Sequence, residues 1–343
     1  MSQPGLRLTR EQILAFRRRV SALEERLPMS AKSLQLAAWA GLQDSMPRAA
    51  LLSIHARVAD TSPTILEDPA LVQVWGPRYS VYAIAAVDLP IFTLSRMPDT
   101  DKGRRRAEET AEALERVLAG GRMKDREVYA ALVGHPYSLR YATATGRVLI
   151  RWEGALAPMV WIVPAPDMSV EDARLELARR YLRLFAPTTS EAFTEWAGIA
   201  DPVGAATFQA LAGELIAASS PLGEGWMLAA DEQLMRGKPE AAVKATRLLP
   251  SGDTYTLLWG RDRDLLVADA QRRPELWTPR VWPGALLVDG EITGVWRRSN
   301  EKVEIDLWRA LTASEKETVE NEAKSMPLPG LTRPISVSFG QAA

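Results

Sequence analysis

Residues 173–199, ARLELARRYLRLFAPTTSEAFTEWAGI, decide the fold class. Leu175, Leu177, Ala178, Leu182 and Phe185 recur at helical spacing and mark the buried stripe of an amphipathic helix. Proline at 187 breaks that helix. Thr189 or Ser190 then caps a shorter one, with Glu191 at its positive end and Phe193 and Trp196 facing inward. Two helices joined by a tight break are the opening of a helix-turn-helix or winged-helix unit.

Working outward, the same plan repeats. Thr9 caps a helix over TREQILAFRRRV, a second helix covers about 32–42, and a third runs through PRAALLSIHARV from Pro47. LVQVWGPRYSVYAIA then forms two strands around Gly76–Pro77, giving a first winged-helix module over 1–98. RRRAEETAEALERVLAGG, KDREVYAALV and YSLRYATATG supply three helices, and GRVLIRW with ALAPMVWIV a hairpin around Glu153–Gly154; this is a second module over 104–164. A third, over 170–249, continues with a recognition helix VGAATFQALAGELIAA and a β pair of GWMLAADEQLM with AAVKATRLLP. Residues 250–343 lose helical period and read as strands (TYTLLWG, ALLVDGEITGVWRR, EKVEIDLWRA) plus one charged helix, with a loosely ordered tail after Met326. The expected fold class is α+β: tandem winged-helix modules followed by a small β-rich C-terminal unit.

With 343 residues, 47% hydrophobic and 25% charged, the chain has the make-up of a globular protein with room for several modules. It has no cysteine and only two histidines, His55 and His135, which excludes thiolate chemistry and argues against a His-based triad or metal site. Neither a signal peptide nor a membrane-length apolar run is visible, so the expected location is the cytoplasm, with no membrane partner. Walker, GxSxG and HExxH motifs are absent. The first 165 residues carry 22 Lys+Arg against 17 Asp+Glu and the remainder 20 against 26, so phosphate neutralisation is expected mainly from the N-terminal half.

Five segments in order carry a family resemblance: GLQDSMPRAALLSIHARV (41–58), VWGPRYSVYAIAAVD (74–88), ELARRYLRLFAPTTSEAFTEWAGI (176–199), LLPSGDTYTLLWGRDRDLL (248–266) and PGALLVDGEITGVWRR (283–298). Together they resemble the AlkZ/YcaQ-like winged-helix proteins, whose characterised members are DNA glycosylases. The resemblance implies double-stranded DNA as partner, no cofactor and no metal. It also implies a pair of residues, Gln-x-Gln or Gln-x-Asp, that holds water beside the anomeric carbon while positive charge builds on the sugar.

Here that pair falls on Gln43 and Ser45, with Asp44 between them. Gln43 fits the pattern. Ser45 orients water but is a poor base, and Asp44 supplies one only if it points into the pocket. Asp44 or Ser45 ahead of Pro47 equally reads as a helix cap. Arg78 matches the arginine of a family hairpin that usually continues Gly-Thr and then His; Tyr79 and Tyr82 stand here instead. The candidate DNA contacts are Arg48, Arg78, Arg140, Arg147 and Arg151. Arg180 and Arg183 share a helix face that meets either the DNA backbone or local acids such as Glu176. The third module's recognition helix has neither Lys nor Arg and reads as scaffold.

Two functional readings follow. One is a monofunctional, metal-independent glycosylase acting on alkylated or crosslinked bases as a monomer at the nucleoid. The other is a non-catalytic DNA-binding or ligand-sequestering protein whose active site has lapsed. A transcriptional regulator ranks below both, because it calls for a dimer and a basic recognition helix.

Overall fold

A computed structural model describes residues 6–44, 46, 48–132, 138–152, 156–237, 245–258 and 261–340. Taking in turn the stretches expected as modules, the first carries β1 (Leu6–Arg7), α1 (Arg10–Val20), α2 (Ala31–Ala37), β2 (Leu42–Gln43), α3 (Ala49–His55), β3 (Leu71–Trp75), β4 (Val81–Ala85) and α4 (Leu89–Leu94). Thr9 caps α1 in a reciprocal box with Gln12. Helix α2 ends at Ala37, short of the expected Leu42, because Leu42 and Gln43 are drawn into a strand beside β4. The second module follows as α5 (Asp101–Leu118), β5 (Met123–Lys124), α6 (Asp125–Ala131), α7 (Ser138–Ala142), β6 (Val148–Arg151) and β7 (Met159–Ile162). The Glu153–Gly154 turn and His135 lie outside the described residues. The two hairpins fuse into one six-stranded sheet of order β2-β4-β3-β6-β7-β5, joined where Gln73 faces Ile150.

The third module carries α8 (Val170–Phe185), α9 (Ser190–Ala197), α10 (Asp201–Ala210), β8 (Leu215–Ser220), β9 (Gly223–Leu228) and α11 (Glu232–Arg236). Thr189 caps α9, as the sequence suggests, and Tyr181, Phe185, Phe193 and Trp196 form a buried aromatic cluster. Two expectations fail here. The recognition helix stops at Ala210, because Leu215–Ser220 is a strand held between β1 and β9, with Ala218 fully buried. The expected pairing of residues 225–235 with 241–250 is not made among the described residues either: β9 returns on β8, and residues 232–236 are helical.

Residues Thr246–Leu249 (β10) belong to the C-terminal unit. That unit adds α12 (Asp262–Leu266), α13 (Arg273–Leu276), β11 (Gly284–Val288), β12 (Glu291–Ser299), β13 (Lys302–Leu307), α14 (Ala313–Lys324) and β14 (Ser336–Gly340) in a five-stranded sheet of order β10 to β14. The Asp289–Gly290 turn between β11 and β12 has positive φ at both residues, the conformation a two-residue hairpin selects. TYTLLWG is not a strand over its described residues, 254–258. Asp253 accepts the Tyr255 amide on its side chain and the Thr256 and Leu257 amides on its carbonyl, which winds the segment into turns. Nor is the tail loose over residues 336–340, where β14 pairs in parallel with β13 over five residues.

Buried ion pairs lock the modules together. Arg180 on α8 is 3% exposed; it pairs with Glu176 at 3.1 Å, as one of its two expected roles has it, and it also grips Asp88 at 2.7 and 2.8 Å and stacks on Trp39. Arg57, just past α3, grips Asp253 at 2.7 and 2.8 Å, and Ser53 donates to the same carboxylate. Burial raises the Asp253 carboxyl, but the Arg57 charge and the converging hydrogen bonds outweigh it and hold the group below its usual range.

Candidate active site

Strand alternation sorts the GLQD segment. Leu42 pairs with Ala83, which pairs with Gln73, so these side chains share one face of the sheet; Gln43 and Tyr82 share the other. Asp44, two residues after Leu42, returns to the Leu42 face. Gln43 and Asp44 therefore look into different clefts.

Gln43 lines a cleft of about 210 Å³ with Arg78, Gly252, Arg280 and Trp282 around it. A second hollow shares Met46, Ser251, Val281 and Trp282 with the first and extends it past Pro283 to Arg297 and Arg298. The combined groove lies between the first module and the C-terminal unit. Its floor is fixed from several sides. Gly41, at φ +73°, passes so close to Tyr82 that a Cβ there would sit 2.8 Å from the ring, and Thr254 donates to the Gly41 carbonyl at 2.9 Å. Gly252, at φ +72°, leaves just enough room for the Gln43 amide: a Cβ would lie 3.1 Å from Oε1. Beneath that turn sits the Arg57–Asp253 pair.

Arg78 stands on the hairpin turn at positive φ, exposed, against the end of α9, where a Cβ on Gly198 would come within 2.9 Å of its Cγ. Tyr79 also takes positive φ, the region a glycine would occupy most easily. It is held there by stacking: the Arg96 guanidinium lies 4.5 Å from its ring, and Tyr141 meets it edge-on at 5.6 Å. Burial lowers Arg96 to about 10.

A family model for the DNA glycosylase AlkZ-like proteins matches residues 36–327. The chain belongs to the AlkZ-like DNA glycosylase family. Among solved structures, the Streptomyces sahachiroi DNA glycosylase AlkZ superposes with a TM-score of 0.78 at 17% identity, covering 98% of this chain and all of that one. No curated protein sequence matches.

Gln43, expected at the first position of the pair that the resemblance implies, lines this groove. Ser45, at the second, lies outside the described residues. Asp44 does not reach the Gln43 cleft. It is 3% exposed; one carboxylate oxygen accepts the Ala50 amide at 3.0 Å, capping α3, and the other accepts Gln73 Nε2 at 2.7 Å. Burial drives its pKa up to about 6, against the opposing pull of those two hydrogen bonds and of Arg48 and Arg151. Asp44, Arg48, Arg151 and Trp152 line a separate cleft on that side of the sheet.

The five candidate DNA contacts thus divide. Arg78 borders the Gln43 groove, while Arg48 and Arg151 border the Asp44 cleft, Arg151 also bonding the Leu66 carbonyl. Arg147 is paired with Glu115 at 2.6 Å, and Arg140 is exposed on α7. Sequence reading missed Arg280, Arg297 and Arg298 as groove residues. The C-terminal half is acidic in total, and net charge hides a local basic edge; the only visible signal is the VWPG…VWRR spacing across one hairpin. Among the described residues, no three His, Asp or Glu side chains are grouped to hold a metal, and no helix is long and apolar enough to cross a membrane.

Proposed function

We propose that this protein hydrolyses the N-glycosidic bond of alkylated or crosslinked bases in duplex DNA, and that Gln43 orients the attacking water. The observation that carries this reading is the Gln43 amide at the floor of a groove walled by Arg78, Arg280 and Trp282. A base departing from deoxyribose leaves an oxocarbenium-like sugar, and an amide holds water on its open face without itself taking a proton. An alkylated purine already carries positive charge and leaves readily, so orientation alone suffices for such substrates. Arg78, Arg280, Arg297 and Arg298 border the groove as candidate phosphate contacts, and Trp282 offers an aromatic face to an unstacked base. We take the protein to work as a monomer, without a metal, on chromosomal DNA in the nucleoid.

A non-catalytic DNA-binding protein is the second reading, favoured by a specific observation. Serine occupies the second position of the pair, and Asp44, the nearest carboxylate in sequence, is committed to Ala50 and Gln73. Single-turnover release of N7-methylguanine from duplex DNA separates the two. Release by the wild type that falls by about a hundredfold or more in Gln43→Ala is the result expected of a water-positioning glycosylase. Salt-dependent duplex binding with no base release makes the protein a binder.

A further inference from the structure

A chain of hydrogen bonds crosses the fused sheet behind the Gln43 strand. The Ala50 amide at the start of α3 donates to Asp44, Gln73 Nε2 donates to the other oxygen of Asp44, and the Trp152 amide donates to Gln73 Oε1 at 2.7 Å. Gln73 is 2% exposed, in the middle of β3, where a polar side chain has no reason to stand unless both ends are used. Both ends are used. Trp152 follows β6, at the entry to the second module's wing, whereas Asp44 directly follows Gln43.

We infer that Asp44 is a positioning residue: through Gln73 it fixes the second module's wing relative to the Gln43 strand, and so sets the geometry with which the two modules engage one duplex. The direction of each bond makes the chain specific. Ionised, Asp44 is acceptor-only, Gln73 must donate on one side and accept on the other, and the Trp152 amide can only donate. Replacing Asp44 by Asn, nearly the same shape, sets two amide donors against each other. If Gln73 flips to relieve that contact, its amino group meets the Trp152 N–H instead. Gln73→Glu fails differently, by setting two carboxylates face to face. The double variant Asp44→Asn/Gln73→Glu gives every donor an acceptor again. Its side-chain amide at position 44 accepts from Ala50 and donates to the carboxylate at position 73, which in turn accepts from the Trp152 amide.

The test is amide hydrogen exchange at Trp152 in the full chain, read with duplex affinity for the wild type, both single variants and the double variant. Each single variant should speed Trp152 exchange on the order of tenfold to a hundredfold, the scale of one unsatisfied buried polar group. Each should also weaken duplex binding about fivefold or more, and the double variant should recover both. The binding arm rests on DNA being the partner; the exchange arm does not. A wild type that ignores duplex DNA therefore sinks the functional reading while exchange still decides the relay. Singles that fail to fold alongside a double that folds support the relay. Wild-type exchange in folded singles, or a double variant no better than the singles, overturns it.

Discussion

Removing the Asp253 carboxylate tests what holds the groove in shape. In Asp253→Ala, Arg57 loses both carboxylate bonds and keeps only the Ser53 carbonyl, at a site where its side chain is 2% exposed. Ser53 loses its 2.6 Å acceptor as well. An uncompensated buried guanidinium costs about 3–5 kcal/mol, a large share of the ~5–15 kcal/mol that typical domains possess. With an m-value of about 3 kcal/mol/M, the urea midpoint should fall by about 1–1.7 M. Because the same turn carries Ser251 and Gly252 against Gln43, activity should fall beyond the loss of folded protein. Replacing both partners, as Arg57→Met/Asp253→Leu, removes the buried charge and should be less damaging to stability than Asp253→Ala. A midpoint shift for Asp253→Ala corresponding to less than about 1 kcal/mol, or a double variant worse than the single, would refute the claim that this pair anchors the C-terminal unit.

Other perturbations give distinct readouts. Asp44 titrates near 6 when folded against an ordinary value of 3.8, so the folded state binds the proton more tightly. Stability attributable to Asp44 should therefore decline as pH rises from about 4 to about 6, by on the order of 3 kcal/mol, and stay level above; the wild-type minus Asp44→Asn difference curve from urea melts shows it. Gly252→Ala forces a side chain into positive φ and onto the Gln43 amide, so base release should fall more than duplex affinity, as kinetics and binding assays compared side by side would report. If Arg78 meets a phosphate, Arg78→Ala should lower the log–log salt slope of duplex binding by about 1 with little change in base preference. Ala119 ends α5 in the left-handed region, so Ala119→Gly should raise stability by up to about 1 kcal/mol in thermal or urea unfolding.

Much of the helical framework is local and was legible. The Thr9 and Thr189 caps and the apolar stripe of residues 173–185 each depend on neighbours a few residues away. Segments 215–220, 254–258 and 336–340 defeated local reading, because contacts with distant parts of the chain, or a single turn-forming side chain, decide their state. Residues 215–220 become a strand beside β1, some two hundred residues earlier, and 336–340 find an edge on β13.

For the site, the sequence alone picked out Gln43 and Arg78 and left Asp44 between two roles, because the period-two geometry of a strand matters only once residues 42–43 are known to be one. Only the tertiary structure turned Gln43 toward the groove and Asp44 away from it. It likewise took Arg180 out of the surface and into the core by bringing Asp88 within 2.7 Å, and it gathered Arg78, Arg280, Arg297 and Arg298 along one groove from remote positions. Capping, periodicity and turn chemistry are written in adjacent residues. The pairing of charges and the facing of a cleft are decided by which surfaces the folded chain buries against each other.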